Sequence, residues 1–379
     1  MKPKLVIPLL IGIAFLLSAC AGVGFRSDTS WPGLTSDGDT IYMAFNQAVY
    51  AINASNGNLR WSYPAEPERD RTYFAPPAVA EDGTLYVGDF TNGIVALNAS
   101  TGAIEWGPIQ LGEGDGRIVG GSTVTGDLLL VPSGDGRLYA RDASDGSAVW
   151  TFPAEFNEPL EHPIWSAPVV DGERVFFTSM DHNVYAVDLA QGGQLWATRD
   201  LGGAIADSPV VVDSKVLAGT FGNELVALDA DRGRKAWIFD AGDWIWGSPA
   251  VRDGVAYFGD LAGELHAVDI RSGSEIESWK QSLDSRISAS LAISEDRIFV
   301  AAESGILFAR ELSTNEEQWK VPSRGTFDGD LHTDPLVLGD TVIVATNGGD
   351  PLLCAFDVEN GSERWSFTPG GSDKRCRSG

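Results

Sequence analysis

The stretch LVALDADRGRKAW, residues 225–237, passes from an aliphatic residue through an alanine, an aspartate and a glycine to a final tryptophan. Nearly the same phrase stands at 94–106 (IVALNASTGAIEW), 138–150 (LYARDASDGSAVW) and 184–196 (VYAVDLAQGGQLW). Aligned on the last residue, the chain repeats at Trp61, Trp106, Trp150, Trp196, Trp237, Trp279, Trp319 and Trp365. The spacings are 45, 44, 46, 41, 42, 40 and 46 residues. Self-similarity at such a period marks a repeat architecture. Eight units fill most of the 379 residues.

The columns of this alignment say what each unit is. Eight residues before the tryptophan lies Asn53, Asn98, Asp142, Asp188, Asp229, Glu311 or Asp357; the sixth unit has Asp269 ten residues before Trp279, through a two-residue insertion. Two positions earlier every unit has alanine, from Ala51 and Ala96 to Ala309 and Ala355. Two positions earlier again the residue is always aliphatic, as at Val49, Ile94 and Leu225. Columns two apart share one face of a strand. The alanine says that this face meets something close and flat. Tyr50, Tyr139, Tyr185 and Phe308 make the other face largely apolar too, as stacked sheets require. Four residues after the acidic or amide column stand seven glycines and Asn315. An Asp or Asn that binds backbone N–H groups, followed by a residue tolerant of positive φ, is a tight turn. The phrase reads as strand, turn, strand, with the tryptophan on the second strand.

Each unit opens with two more strand candidates, as in SPVVVDSKVLAGT (208–220) and SPAVRDGVAYFGD (248–260). Four short strands repeated eight times describe an all-β fold, a single eight-bladed β-propeller of four-stranded antiparallel blades. An indole docked between neighbouring blades buries roughly 150–250 Å². That amounts to about 4–6 kcal/mol of gross transfer energy, an upper bound before entropy is subtracted.

The phrase A-x-D-x-x-x-G-x-x-x-W resembles the tryptophan-docking repeat of the quinoprotein, or PQQ-binding-like, propellers, over about residues 31–368. Members of that family that are dehydrogenases carry adjacent cysteines beside the cofactor, and a Glu/Asn/Asp set that holds calcium and supplies the catalytic base. Here Cys20, Cys354 and Cys376 lie far apart, and no C-x-x-C-H haem motif is present. The resemblance is therefore to the lipoprotein subunits of the outer-membrane β-barrel assembly machinery. It implies a non-enzymatic envelope scaffold that docks a partner protein through its propeller loops, with no cofactor, and a monomer. The alternatives are a quinoprotein dehydrogenase using PQQ with Ca²⁺, and a peptide- or glycan-binding sensor propeller.

The N-terminus agrees with an envelope location. Lys2 and Lys4 precede an apolar run from Leu5 to Leu17, then Ser18, Ala19 and Cys20. A positive start, a short apolar stretch and small residues at the end form an export signal. LSAC resembles the bacterial lipobox, which implies cleavage after residue 19 and lipid on Cys20. The expected organisation is a signal peptide (1–19), a lipidated linker (20–30), the propeller (31–368) and a disordered tail (369–379). In a two-membrane cell this places the protein on the periplasmic face of the outer membrane, and otherwise on the outer face of the cell membrane. The formal charge of −26 argues against nucleic acid, whose binding rests on Lys and Arg. Cys354, at an apolar repeat position, is expected to be a buried free thiol, although export permits a bond to Cys376.

Segments leading into each unit face the channel mouth in such propellers. Aligned on the Ser-Pro element, one column is uniformly apolar (Tyr73, Ile118, Ile164, Ile205, Ile245, Ile287, Leu331) and reads as core. The next column varies: Phe74, Val119, Trp165, Ala206, Trp246, Ser288, His332. Phe74, Trp165, Trp244, Trp246 and His332, with Arg117 and Arg286 nearby, form the candidate interaction face, since Trp and Arg often anchor interfaces. The competing reading is that Trp165 and Trp246 plug the channel. Asp207, Asp334 and His332 lack ligand spacing and read as surface or turn-capping residues. No nucleophile elbow, Walker loop or zinc spacing is present. The Gly-rich GEGDGR (112–117) precedes no helix and reads as an inter-blade loop.

Overall fold

The computed structural model describes residues 31–379 except 67, 69–70, 113–115, 323–324, 372–374 and 377–379. The export signal, Cys20 and the linker lie outside the described residues. Among the described residues there is no helix, and so none long and apolar enough to cross a membrane. Strands Gly33–Ser36 through Glu363–Phe367 form eight four-stranded antiparallel sheets, each a simple meander. The blades cover residues 33–63, 78–110, 123–152, 169–197, 210–240, 250–282, 292–321 and 336–367. In blade 5, for example, the strands are Val210–Val212, Lys215–Gly219, Glu224–Asp229 and Lys235–Asp240. First strands of neighbouring blades approach one another and line the axis, while the tryptophan strands lie outermost.

The core is distributed over the seams. Eight buried clusters are present, each drawn from two adjacent blades. The repeated alanine is the cross-strand partner of the tryptophan in seven blades, from Ala51 opposite Trp61 to Ala355 opposite Trp365. Directly paired residues have close Cβ atoms, so a larger side chain would displace the indole. Each indole then reaches into the next blade. Trp61 Nε1 donates to Ala99 O at 3.0 Å, Trp237 to Ile270 O at 2.8 Å, and Trp365 to Ala54 O at 2.9 Å; the other five do likewise. The accepting residue follows the Asp or Asn column, and its own N–H binds the first turn of its blade, as Ala230 N does Ser214 O. One residue thus locks a turn and receives a neighbour.

The glycine column has a double cause. Gly233 has φ +65°, and a Cβ there would lie 2.5 Å from the Trp196 ring. The exception is Asn315, which keeps the positive φ (59°) at the seam of blades 6 and 7. Here the expected strand placement fails: Trp279 lies in a turn before the outer strand Gln281–Ser282 rather than within it. The two-residue insertion removes it from the ladder, yet its indole still donates to Leu312 O at 2.8 Å. Asn315 Nδ2 donates to Trp279 O, and buried Arg310 donates through Nε to Asn315 Oδ1 at 2.6 Å. A polar lock replaces glycine contact.

The ring closes without strand exchange. Trp365 and Gly57 make the last seam like the others, and Thr333 Oγ1 donates to Pro32 O at 2.8 Å. Cys354 is a corrected expectation, since it is bonded to Cys376, with Cα atoms 5.8 Å apart. No repeat column records this partner, and Cys376, within the stretch expected to be disordered, belongs to the buried cluster of blades 7 and 8.

Candidate functional site

At the loop end, the hairpin joining the second and third strands of each of blades 2–8 hydrogen-bonds the segment entering that blade's first strand. Gly134 N donates to Arg117 O, Leu261 N to Trp244 O and Glu303 N to Arg286 O, all at 2.9–3.0 Å. Arg117, Trp244 and Arg286 therefore occupy one structural position in blades 3, 6 and 7. All three are exposed. The uniformly apolar column is buried throughout, at 0–1% exposure.

The variable column divides. Phe74 is buried, packed between Phe45 and Phe90 with ring centroids 6.0 and 4.9 Å away. Arg117 lies over Phe90 at 5.7 Å, a cation–π contact. Trp165 is half-buried and, among the described residues, joins no ring cluster. Trp246 belongs to a second array. Trp244 stacks on Phe221 (4.9 Å, 7°), Phe221 meets Trp246 (4.9 Å), Trp246 meets Trp31 (6.0 Å), and Trp31 meets His332 (5.4 Å). These five rings come from blades 5, 6, 1 and 8. Trp246 and Trp31 meet edge to face over a chord of the channel, while Trp244 stays 45% exposed.

Two array members escape the sequence alignment. Trp31 is the missing eighth member of the variable column: Thr35 pairs with Tyr42 as Val210 pairs with Leu217. The first unit has no Ser-Pro element, but Trp31 stands 20 residues before Ala51 as Trp246 stands 21 before Ala267. Counting back from alanine would have found it. Phe221 sits in a hairpin that no column marks. Of the 12 tryptophans, the four outside the docking repeat (Trp31, Trp165, Trp244, Trp246) all lie on segments entering first strands.

One layer deeper, Asp207 and Asp334 face each other rather than standing on the outer surface. Ser290 joins them: its N–H donates to Asp334 Oδ1 at 2.7 Å and its hydroxyl to Asp207 Oδ2 at 3.0 Å. Asp207 also accepts from Ser248 N at 2.8 Å. Asp334 remains open to channel water yet is walled by protein. That burial, and then the facing Asp207 charge, push its carboxyl well above the usual carboxylate range. Near the rim, His332 Nδ1 lies 3.1 Å from Ser288 Oγ and 3.6 Å from Glu303 Oε1. The hydrogen bond with His332 holds the Glu303 carboxyl below its ordinary value. Among the described residues no three His, Cys, Asp or Glu side chains converge as metal ligands. The arrangement can stack planar groups and attract positive charge.

This architecture defines a tryptophan-docked eight-bladed propeller with an aromatic, acid-lined loop end. The family described as outer membrane protein assembly factor BamB matches residues 27–152, 109–239, 153–278 and 262–379, and the chain belongs to that family. An outer membrane protein assembly factor BamB of Moranella endobia is 28% identical over 329 residues, 83% of this chain and 70% of that protein. A lupanine 17-hydroxylase [cytochrome c] of Pseudomonas is 27% identical over 152 residues, 35% of this chain and 22% of that protein. Among solved structures, BamB from Moraxella catarrhalis superposes with a TM-score of 0.69 at 16% identity, over 87% of this chain and 96% of that one. That last likeness speaks for fold alone.

Proposed function

We propose that the chain is a non-enzymatic scaffold of the bacterial envelope, tethered by lipid on Cys20, whose loop end docks a protein of the outer-membrane assembly machinery. The observation that carries this reading is the five-ring array ending on exposed Trp244, where a catalytic set would be expected in an enzyme. Family membership and the relatives' names support the process, and the lipobox-like LSAC supports the anchor. The protein acts as a monomer on the periplasmic face of the outer membrane.

The dehydrogenase reading draws on the similarity to the Pseudomonas hydroxylase over about a third of the chain. The residues fit PQQ and Ca²⁺ poorly. The disulfide joins Cys354 and Cys376, 22 positions apart, at the seam of blades 7 and 8 rather than adjacent residues at the axis. Asp207 and Asp334 meet Ser290, not a third ligand.

The test is cross-linking of full-length lipidated protein in its native envelope, with partners identified by mass spectrometry. Wild type should capture a barrel-assembly component, and Trp165→Ala with Trp246→Ala should lose it. Capture that ignores both substitutions, or captures no assembly component, overturns the scaffold role at this face.

A further inference from the structure

Resting on that scaffold reading, we propose that the ring array from Trp244 to His332 docks an arginine-bearing, positively charged segment of the partner protein. The guanidinium stacks on the open face of Trp244. One face of that indole is already taken by Phe221, at 4.9 Å and 7°. The side chain nonetheless stays 45% exposed, so its free face is presented to solvent by a fixed stack. A rigid, half-exposed indole is the preferred platform for a planar cation.

Charge complementarity selects the occupant. Among the described residues Asp243, next to Trp244, accepts only from the Trp244 N–H, at 2.7 Å. Asp207 bonds the amide of Ser248, two residues beyond Trp246, and Asp334 lies two residues beyond His332. Among the described residues, Asp243, Asp207 and Asp334 have no ion-pair partner, whereas Glu303 meets His332. Burial, and after it the facing Asp207 charge, raises the Asp334 carboxyl, so the two carboxylates stand opposed without a side-chain cation between them among the described residues. A cation would relieve their repulsion. Arginine fits better than lysine because its plane stacks on an indole while its N–H fork binds a carboxylate. The whole-protein charge of −26 also draws a basic segment in from a distance.

The experiment is fluorescence anisotropy of a labelled (Gly-Ser-Arg)₄ peptide against the full chain at physiological salt, with lysine and citrulline counterparts. The arginine peptide should bind, the lysine peptide more weakly, and the neutral citrulline peptide not measurably. Trp244→Ala should weaken arginine-peptide binding by roughly fivefold or more, within the range of such contacts. Glu81→Gln, an exposed acid at the opposite end of blade 2, should leave it unchanged. Equal binding by wild type and Trp244→Ala would show diffuse attraction and overturn the proposal. So would equal binding of the citrulline peptide. A neutral oligosaccharide that binds in a Trp244-dependent way while the arginine peptide does not would make the array a glycan site instead. If envelope cross-linking to the assembly component survives Trp244→Ala undiminished, this inference falls while the scaffold reading stands.

Discussion

At the turn end of the propeller, eight tryptophans make one contact eight times, each indole donating to a carbonyl of the next blade. At the loop end, eight equivalent positions hold Trp31, Phe74, Val119, Trp165, Ala206, Trp246, Ser288 and His332. The same backbone geometry thus supports strict repetition at one end and variety at the other. Seven of the seams join the indole, the methyl opposite it and the glycine that receives it, and the seam of blades 6 and 7 keeps the indole with Asn315 in the glycine's place. The loop end carries no such requirement, because the buried column behind it already seals the core. Variation can collect there at little cost in stability.

The sharpest way to break this contrast is to remove one repeated contact. Trp237→Ala should cost about 3–5 kcal/mol, as large aromatic truncations do, and should lower the melting temperature of the whole ring. An unchanged transition would mean that the seams are not held by indoles. A smaller effect is expected at the irregular seam. Asn315→Gly installs the residue used by the other seven units, yet it removes the acceptor of the buried Arg310 Nε and the donor to Trp279 O. A cost of about 1–3 kcal/mol follows from stranding buried polar groups. A stabilised variant in chemical denaturation would show that the polar lock is dispensable.

The smallest effect belongs to the loop end. The Asp334 carboxyl titrates higher in the folded chain than in the unfolded one, where it releases its proton near 3.9. As pH rises past that lower value, the unfolded state has already lost the proton that the native state keeps. Stability therefore falls until the native group has titrated as well. Asp334→Asn carries no such proton, so its stability relative to wild type should increase from pH 4.5 to pH 8. Denaturant titrations of both proteins at the two values check this, and a constant difference would refute the raised titration of Asp334.

The difference between the ends also explains what was legible in the sequence. Ala227, Asp229, Gly233 and Trp237 are each tied to fixed geometry, so the blades could be counted from the residues. Trp31 holds a repeated position without the Ser-Pro element that marks the others, Phe221 holds one that no column marks, and their meeting with Trp246 depends on how blades 1, 5 and 6 converge at the axis. Asp207 and Asp334 sit 127 positions apart in the chain and become neighbours only when the ring closes. The Cys354–Cys376 bond stayed the lesser alternative for a related reason, since no strand periodicity relates the two residues.

Closure between Trp365 and Ala54, made with no shared strand, leaves the wheel without a privileged starting blade. Circular permutants that join the two ends and open the chain at another inter-blade segment would rebuild the same eight seams. The order in which blades leave the ribosome is therefore separable from the structure they reach.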